Sequence, residues 1–317
     1  MSGREKIKCV VDTDAGTDDA QAIAMLLASP RVDVLGFTTV HGNTNTKQVC
    51  VNLLKLLRVL NREDIPIFLG AETSLLGDVK ESGDFHGTDG LGDMKDIEPV
   101  DITKIRTETA TEALSRISKE NEGDLTLIAI GPLTNVATAI RRDSGFGSRL
   151  KQCYIMGGNY YGKGNSKNIC AEFNFFCDPE AANIVLNQLS CPITLVGMEV
   201  CFDNPFTWDM HKSLRGIDTN TGRFFKLMEQ DIIRKWPSYI PCDEYAVGAL
   251  LNPKGIIRNS KEVFASVELK GEHTRGQMVI DWYEVLHKKP NVTIVTESSS
   301  EALCEMIKTA MEEKSII

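Results

Sequence analysis

The chain has 317 residues, 42% of them hydrophobic and 25% charged, a balance that supports a sizeable buried core and excludes a disordered or fibrous chain. With 35 Lys and Arg against 44 Asp and Glu the formal net charge is −9, which repels phosphate backbones and argues against nucleic acid or an anionic membrane as partner. No apolar run approaches the ~18 residues that would span a bilayer.

The first element expected is a strand at Ile7 to Val11, a short apolar run interrupted by Lys8 and suited to a buried parallel sheet. The spacing Ala20, Ile23, Ala24, Leu27 then gives a helix face. A strand over Val32 to Val40 follows, then an amphipathic helix through Val49, Leu53, Leu56, Leu57 and Leu60, and a strand at Ile65 to Leu69. Further on come a strand at Leu125 to Ile130, a helix opening near Pro132, a strand ending at Tyr154 to Met156, and a helix opened by Pro179. Ser298 to Ile317 reads as a closing amphipathic helix. Strand and helix alternating in this way predict an α/β fold, a doubly wound and mostly parallel sheet flanked by helices, in one large domain over 1–317. Two glycine-rich stretches, Gly77 to Gly92 and Gly157 to Asn168, are too long for plain connections and suit active-site loops.

Nine scattered cysteines, with no C-x-x-C pair and no zinc spacing, read as free thiols in a reducing compartment. The amino terminus has too short an apolar run for a signal peptide, so a cytoplasmic location is expected.

The densest chemical signal is Asp12-Thr13-Asp14-Ala15-Gly16-Thr17-Asp18-Asp19, directly after the first strand and before the first helix. An aspartate near a helix start complements the helix dipole, which explains one or two of them. Four carboxylates in eight residues repel one another unless a cation sits among them, and all-oxygen ligands select Ca²⁺ or Mg²⁺ over zinc. Asp12 and Asp14 project to one side of an extended chain, and Gly16 is expected to permit the sharp turn. A haloacid-dehalogenase-like phosphatase reading of the D-x-D fits poorly at Gly16-Thr17-Asp18-Asp19, and no P-loop motif exists.

This segment resembles the aspartate-rich signature of the inosine-uridine-type nucleoside hydrolases. Val40-His41-Gly42-Asn43, Ile130-Gly131-Pro132-Leu133-Thr134-Asn135, Met156-Gly157-Gly158, Ala171-Glu172-Phe173-Asn174 and Cys242-Asp243 follow in that family's order, over about three quarters of the chain. The resemblance implies hydrolysis of the N-glycosidic bond of a small-molecule ribonucleoside to ribose and free base, with one bound Ca²⁺. It implies Asp14, Asp19, Asp243 and the carbonyl of Ile130 as metal ligands, with Asp12 another contributor close by, and Asp14 as general base. Asp18, Asn43, Met156, Glu172 and Asn174 would bind the ribose and water region. An asparagine expected before Glu172 is either Asn165 or Asn168, with Asn165 favoured by the preceding Gly164. Glu172 and Asn174 alternate with Phe173, so both are expected to face the pocket while Phe173 faces the core. The resemblance also implies a homo-oligomer, dimer or tetramer.

Some members of the family carry a histidine where this chain has Cys242, which is therefore either an acid of another kind or a small packed residue. His86 is the next candidate for the catalytic group at the leaving base, and His41 a weaker one that would serve equally as a strand-end hydrogen-bonding residue. Tyr239, Trp236, Trp282 and Trp208 are candidates to stack on the base. Other readings are a hydrolase of another N-ribosyl compound and a non-catalytic nucleoside or ribose sensor. Purine or pyrimidine preference is open at this stage.

Overall fold

The computed structural model describes residues 6–80, 83, 85–95, 98–230 and 238–312. Eleven strands are present among them: β1 (Ile7–Thr13), β2 (Val32–Thr39), β3 (Ile67–Phe68), β4 (Ile105–Arg106), β5 (Leu125–Ala129), β6 (Leu150–Met156), β7 (Ile193–Val196), β8 (Ile257–Val263), β9 (Ala265–Val267), β10 (Met278–Ile280) and β11 (Val292–Ser298). Nine of them form one sheet in the order β4-β3-β2-β1-β5-β6-β7-β11-β8. All neighbours in it are parallel except the edge pair β11–β8. This is the doubly wound α/β architecture expected from the strand–helix rhythm.

Strand order reverses between β1 and β5. The chain winds outward through β2 to β4 and then restarts on the other side of β1 at β5. Such a reversal opens a crevice at the carboxyl ends of the strands, and both strands end there in the residues of interest. β1 runs straight into Asp14, and β5 into Ile130, whose amide donates to the Asp12 carbonyl at 2.9 Å. Cys9, Val10 and Val11 are fully buried, because helices cover both faces of a parallel sheet.

Local chemistry moves several boundaries. Helix α1 (Thr17–Ala28) carries Asp18 and Asp19 in its first turn, which Asp19 Oδ2 closes by accepting the Gly16 amide at 2.8 Å. The sharp turn falls at Ala15, φ +42°, and not at Gly16, whose φ is an ordinary −74°. Gly16 is needed for space: a Cβ there would lie 2.4 Å from Asn43 Nδ2. Helix α2 (Thr46–Val59) is capped by Asn45, which accepts from Gln48 N at 3.1 Å. β3 is only two residues long, since Pro66 has no N–H to extend the ladder. Pro132 lies before the helix Thr134–Arg142 rather than inside its first turn. After Gly197 the described residues include the short helices Met198–Asp203, Trp208–Arg215 and Asn220–Met228. The closing helix spans Ser300–Glu312.

Candidate active site

The loops after the strands enclose a cavity of about 380 Å³, the size of a small-molecule site. Its polar floor is built by the β1 segment. Asp14 is fully buried, its Oδ2 accepts the Asn43 amide at 2.8 Å, and its Oδ1 has no partner. Gly42 makes the contact possible, because a Cβ there would stand 2.1 Å from Asp14 Oδ2. Asp19 is held by Thr13 Oγ1 and by the Gly16 amide, and Asp18 follows Thr17 in the same turn. Asp243 arrives from the first turn of the helix Asp243–Leu251. Carboxylate oxygens of Asp18, Asp19 and Asp243 all lie within 4.8 Å of one another.

No Lys or Arg pairs with these four carboxylates among the described residues; the nearest cationic type is His86, with Nδ1 3.9 Å from Asp18 Oδ1. Burial therefore acts with little opposition. It lifts Asp19 to about 7, with the charge of Asp18 adding to the effect. Asp14 and Asp243 are raised above the ordinary carboxylate range, first by burial and then by their acidic neighbours. Mutually repelling buried carboxylates and an orphaned Asp14 Oδ1 fit a hard divalent cation, which would restore their charged state. Asp12 is also lifted to about 7 by burial, but it faces away from the cavity: its Oδ1 accepts from Thr38 Oγ1 at 2.5 Å and Asn135 Nδ2 at 2.8 Å.

The walls beside this floor come from β5, β6 and the loop to Asn174. Ile130, Met156, Asn43, Asn165, Glu172 and Asn174 all line the cavity. Asn174 Nδ2 donates to the carbonyls of Ile130, at 3.3 Å, and Met156, at 3.1 Å. Glu172 is the N-cap of the short helix Phe173–Cys177 and accepts from the amides of Gly158, Asn174 and Phe175. The expected alternation is therefore absent: in a helical turn Phe173 joins the cavity wall, and Phe175 is the ring that enters the core. Asn165 reaches the cavity and accepts from Phe173 N at 2.8 Å, whereas Asn168 is spent on Ser166, Ala171 N and the Arg275 carbonyl.

The remaining wall is mostly apolar, interrupted by Glu229 and Ser238. Phe85, Met198, Phe202, Trp208, Tyr239 and Ile240 line it, with His86 and Cys242 among them. Trp282 is not brought there; it stacks on Tyr161 at 6.0 Å and is partly exposed. Trp236 lies outside the described residues. His41 is buried away from the cavity against Thr134 Oγ1, 3.2 Å away, and burial lowers it to about 4. Cys242 directs its thiol to the Ile240 carbonyl at 3.7 Å, a packed arrangement.

A buried polar network that reaches the cavity through Glu229 and Tyr239 was not legible in the sequence. Gln21 donates to Glu229 Oε1 at 2.7 Å and to the Tyr239 hydroxyl, which donates to Glu244 Oε1 at 2.9 Å. His211 and Arg215 hold the other oxygen of Glu229. Its members are separated by up to 223 positions (Gln21 to Glu244), so no local spacing announces it. The contact of Thr17 with His86, 69 positions apart, leaves no local spacing either.

A carboxylate-floored cavity at the switch point of a doubly wound sheet defines an α/β enzyme acting on a small polar molecule. The family model described as inosine-uridine preferring nucleoside hydrolase matches residues 9–305. Uridine nucleosidase 1 of Arabidopsis thaliana is 40% identical over 194 residues, 61% of this chain and 56% of that protein. Pyrimidine-specific ribonucleoside hydrolase RihA of Klebsiella pneumoniae (strain 342) is 31% identical over 94% of this chain and 96% of its own length. Among solved structures, an inosine-guanosine nucleoside hydrolase superposes with a TM-score of 0.89 at 32% identity, covering 97% of this chain and 99% of that one. The chain belongs to the inosine-uridine preferring nucleoside hydrolase family. It is a hydrolase of N-glycosyl bonds, cleaving ribonucleosides to ribose and free base.

Proposed function

We propose that the cavity binds a ribonucleoside with its ribose on the carboxylate floor and its base against the apolar wall, and that Asp14 activates the attacking water. The observation that carries this reading is the Asp14 carboxylate, anchored through Oδ2 and unpartnered at Oδ1 in a buried acidic site. Asp14, Asp19, Asp243 and the Ile130 carbonyl would hold Ca²⁺, with Asp18 close enough to share that role. When bound, such an ion supplies positive charge that acidifies water and binds a vicinal diol.

The chain's own groups then divide the work. Asp14 Oδ1 takes a proton from water as the oxygen bonds to the anomeric carbon. The bond to the base breaks, and its electron pair leaves on the base nitrogen. The positive ribosyl group that develops is favoured by the surrounding carboxylates. Asp18, Asn43, Met156, Asn165, Glu172 and Asn174 hold the sugar and water in register. Pairing of buried polar groups with a diol gives discrimination against deoxyribose, which would leave them without partners. His86 acts at the leaving base, and Tyr239 stacks on it.

A pyrimidine base is the favoured leaving group. The sequence relatives named above carry uridine or pyrimidine in their names, and no arginine or lysine lines the cavity among the described residues. The exposed apolar residues Tyr161, Tyr283, Val285 and Leu286 support a homo-oligomer, and nine unpaired cysteines support a cytoplasmic location. Release of ribose from a panel of purine and pyrimidine ribonucleosides, with and without a calcium chelator, tests the function. Uridine hydrolysis abolished by chelator and restored by Ca²⁺ is expected; no ribose from any nucleoside overturns the reading.

A further inference from the structure

His86 meets the first turn of α1 through one ring nitrogen. Its Nδ1 lies 3.2 Å from the Thr17 amide, which donates to it, and 2.8 Å from the Thr17 hydroxyl. A backbone N–H always carries its hydrogen, so a proton on Nδ1 would face another proton across this contact. Nδ1 must therefore be the bare acceptor, and the ring proton must sit on Nε2. The Thr17 hydroxyl, free to rotate, donates to the same lone pair and reinforces the choice. Nε2 has no hydrogen-bond partner among the described residues, and the ring lines the cavity beside Phe85, at 4.6 Å in an edge-on arrangement. The ring thus presents an N–H donor from the mostly apolar wall, its hydrogen fixed by Thr17 at the edge of the same cavity.

We propose that Thr17 fixes the proton of His86 on Nε2 and is a positioning residue for the reaction, the resulting N–H donating to the oxo group next to the glycosidic nitrogen of a pyrimidine base. This rests on the function proposed above and extends it to the chemical feature of the base that is read. Electron density that moves into the base as the glycosidic bond breaks accumulates on that oxygen. A donor fixed there therefore gains strength in the transition state and needs no proton transfer. Thr17 stands at the first position of a helix, where the amide has no intrahelical acceptor. Giving that amide to His86 satisfies it and, together with the Thr17 hydroxyl, orients the ring.

The test uses the full-length protein with its divalent ion, labelled with ¹⁵N at histidine, His86 being assigned by loss of its signals in His86→Gln. Wild type is expected to show a protonated Nε2 and a bare Nδ1; the reverse pattern overturns the proposal. Activity is then compared on uridine and on a 4-pyridone ribonucleoside, which lacks an oxygen next to the glycosidic nitrogen. His86→Gln keeps an amide donor near the Nε2 position and His86→Asn places one near Nδ1. On uridine, kcat is expected to fall about tenfold or less in His86→Gln and about 100-fold in His86→Asn. On the pyridone the gap between the two variants is expected to shrink to within a few-fold. Thr17→Ser is expected to keep the wild-type ratio of the two substrates, and Thr17→Val to lower it several-fold. Equal losses on both substrates overturn the inference while leaving ribonucleoside hydrolysis intact. Absence of ribose release from uridine by wild type would instead overturn the underlying function.

Discussion

The amide of Asn43 donates to Oδ2 of Asp14 at 2.8 Å and leaves Oδ1 of the same carboxylate without a partner. One oxygen is thereby an anchor and the other is available for chemistry. Asn43 follows β2 and Asp14 follows β1, so the parallel pairing of two adjacent strands sets this geometry.

Asp14→Asn is expected to keep the anchor, because the amide oxygen can accept from Asn43 N, while the second position becomes an NH₂ that cannot take a proton. Turnover should fall by roughly 10²–10⁴-fold. Circular dichroism should be unchanged, and the rate of reducing-sugar release from uridine measures the loss. Turnover within threefold of wild type would remove Asp14 from the role of base.

Ion removal should couple to pH. Burial raises the folded-state values of Asp12 and Asp19 to about 7, and those of Asp14 and Asp243 upward, above the unfolded value of 3.8. Between those limits the folded chain holds protons that the unfolded chain has released, so stability without the ion falls as pH rises. His41 and His211, lowered to about 4 and about 3, act in the opposite sense but only below their unfolded value of 6.5. Above that pH the carboxylates act alone. Melting of the chelated protein should therefore drop from about pH 6.5 to about pH 8.5, and added Ca²⁺ should raise the Tm more at the upper pH. A chelated Tm that climbs over this interval would contradict the assignment.

The two asparagines of the 157–170 loop separate by their partners. Asn165→Ala removes a side chain that lines the cavity and should cost about 2–10-fold in kcat/KM. Asn168→Ala removes bonds to Ala171 N and the Arg275 carbonyl and should lower thermal stability, with a smaller effect on kcat/KM. Steady-state kinetics and a melting curve on both variants distinguish the two.

Ala15 carries the left-handed backbone, φ +42°, at the turn between Asp14 and Gly16. A side chain there strains the main chain, so Ala15→Gly is expected to stabilise the fold by about 0.5–1 kcal/mol, a rise of about 1–3 °C in Tm. Thermal denaturation with the ion bound reads this directly.

The acidic run from Asp12 to Asp19 and the glycine-bounded strand ends were legible in the sequence, because the geometry of a strand followed by a helix is local. The alternation of apolar strands and amphipathic helices likewise determined a parallel sheet with ligands at its carboxyl edge. Two local expectations gave way to local competition. Glu172 caps a helix instead of continuing an extended strand, since its carboxylate satisfies three amides at once. Ala15 rather than Gly16 takes the turn because Gly16 must leave room for Asn43. Only the tertiary structure decided which aromatic residues meet the cavity, that Asp12 turns away from it, and that Thr17 holds His86. The Thr17–His86 bond spans 69 positions and the Asp12–Asn135 bond 123, and a hydrogen bond across such a distance leaves no period or spacing in the chain.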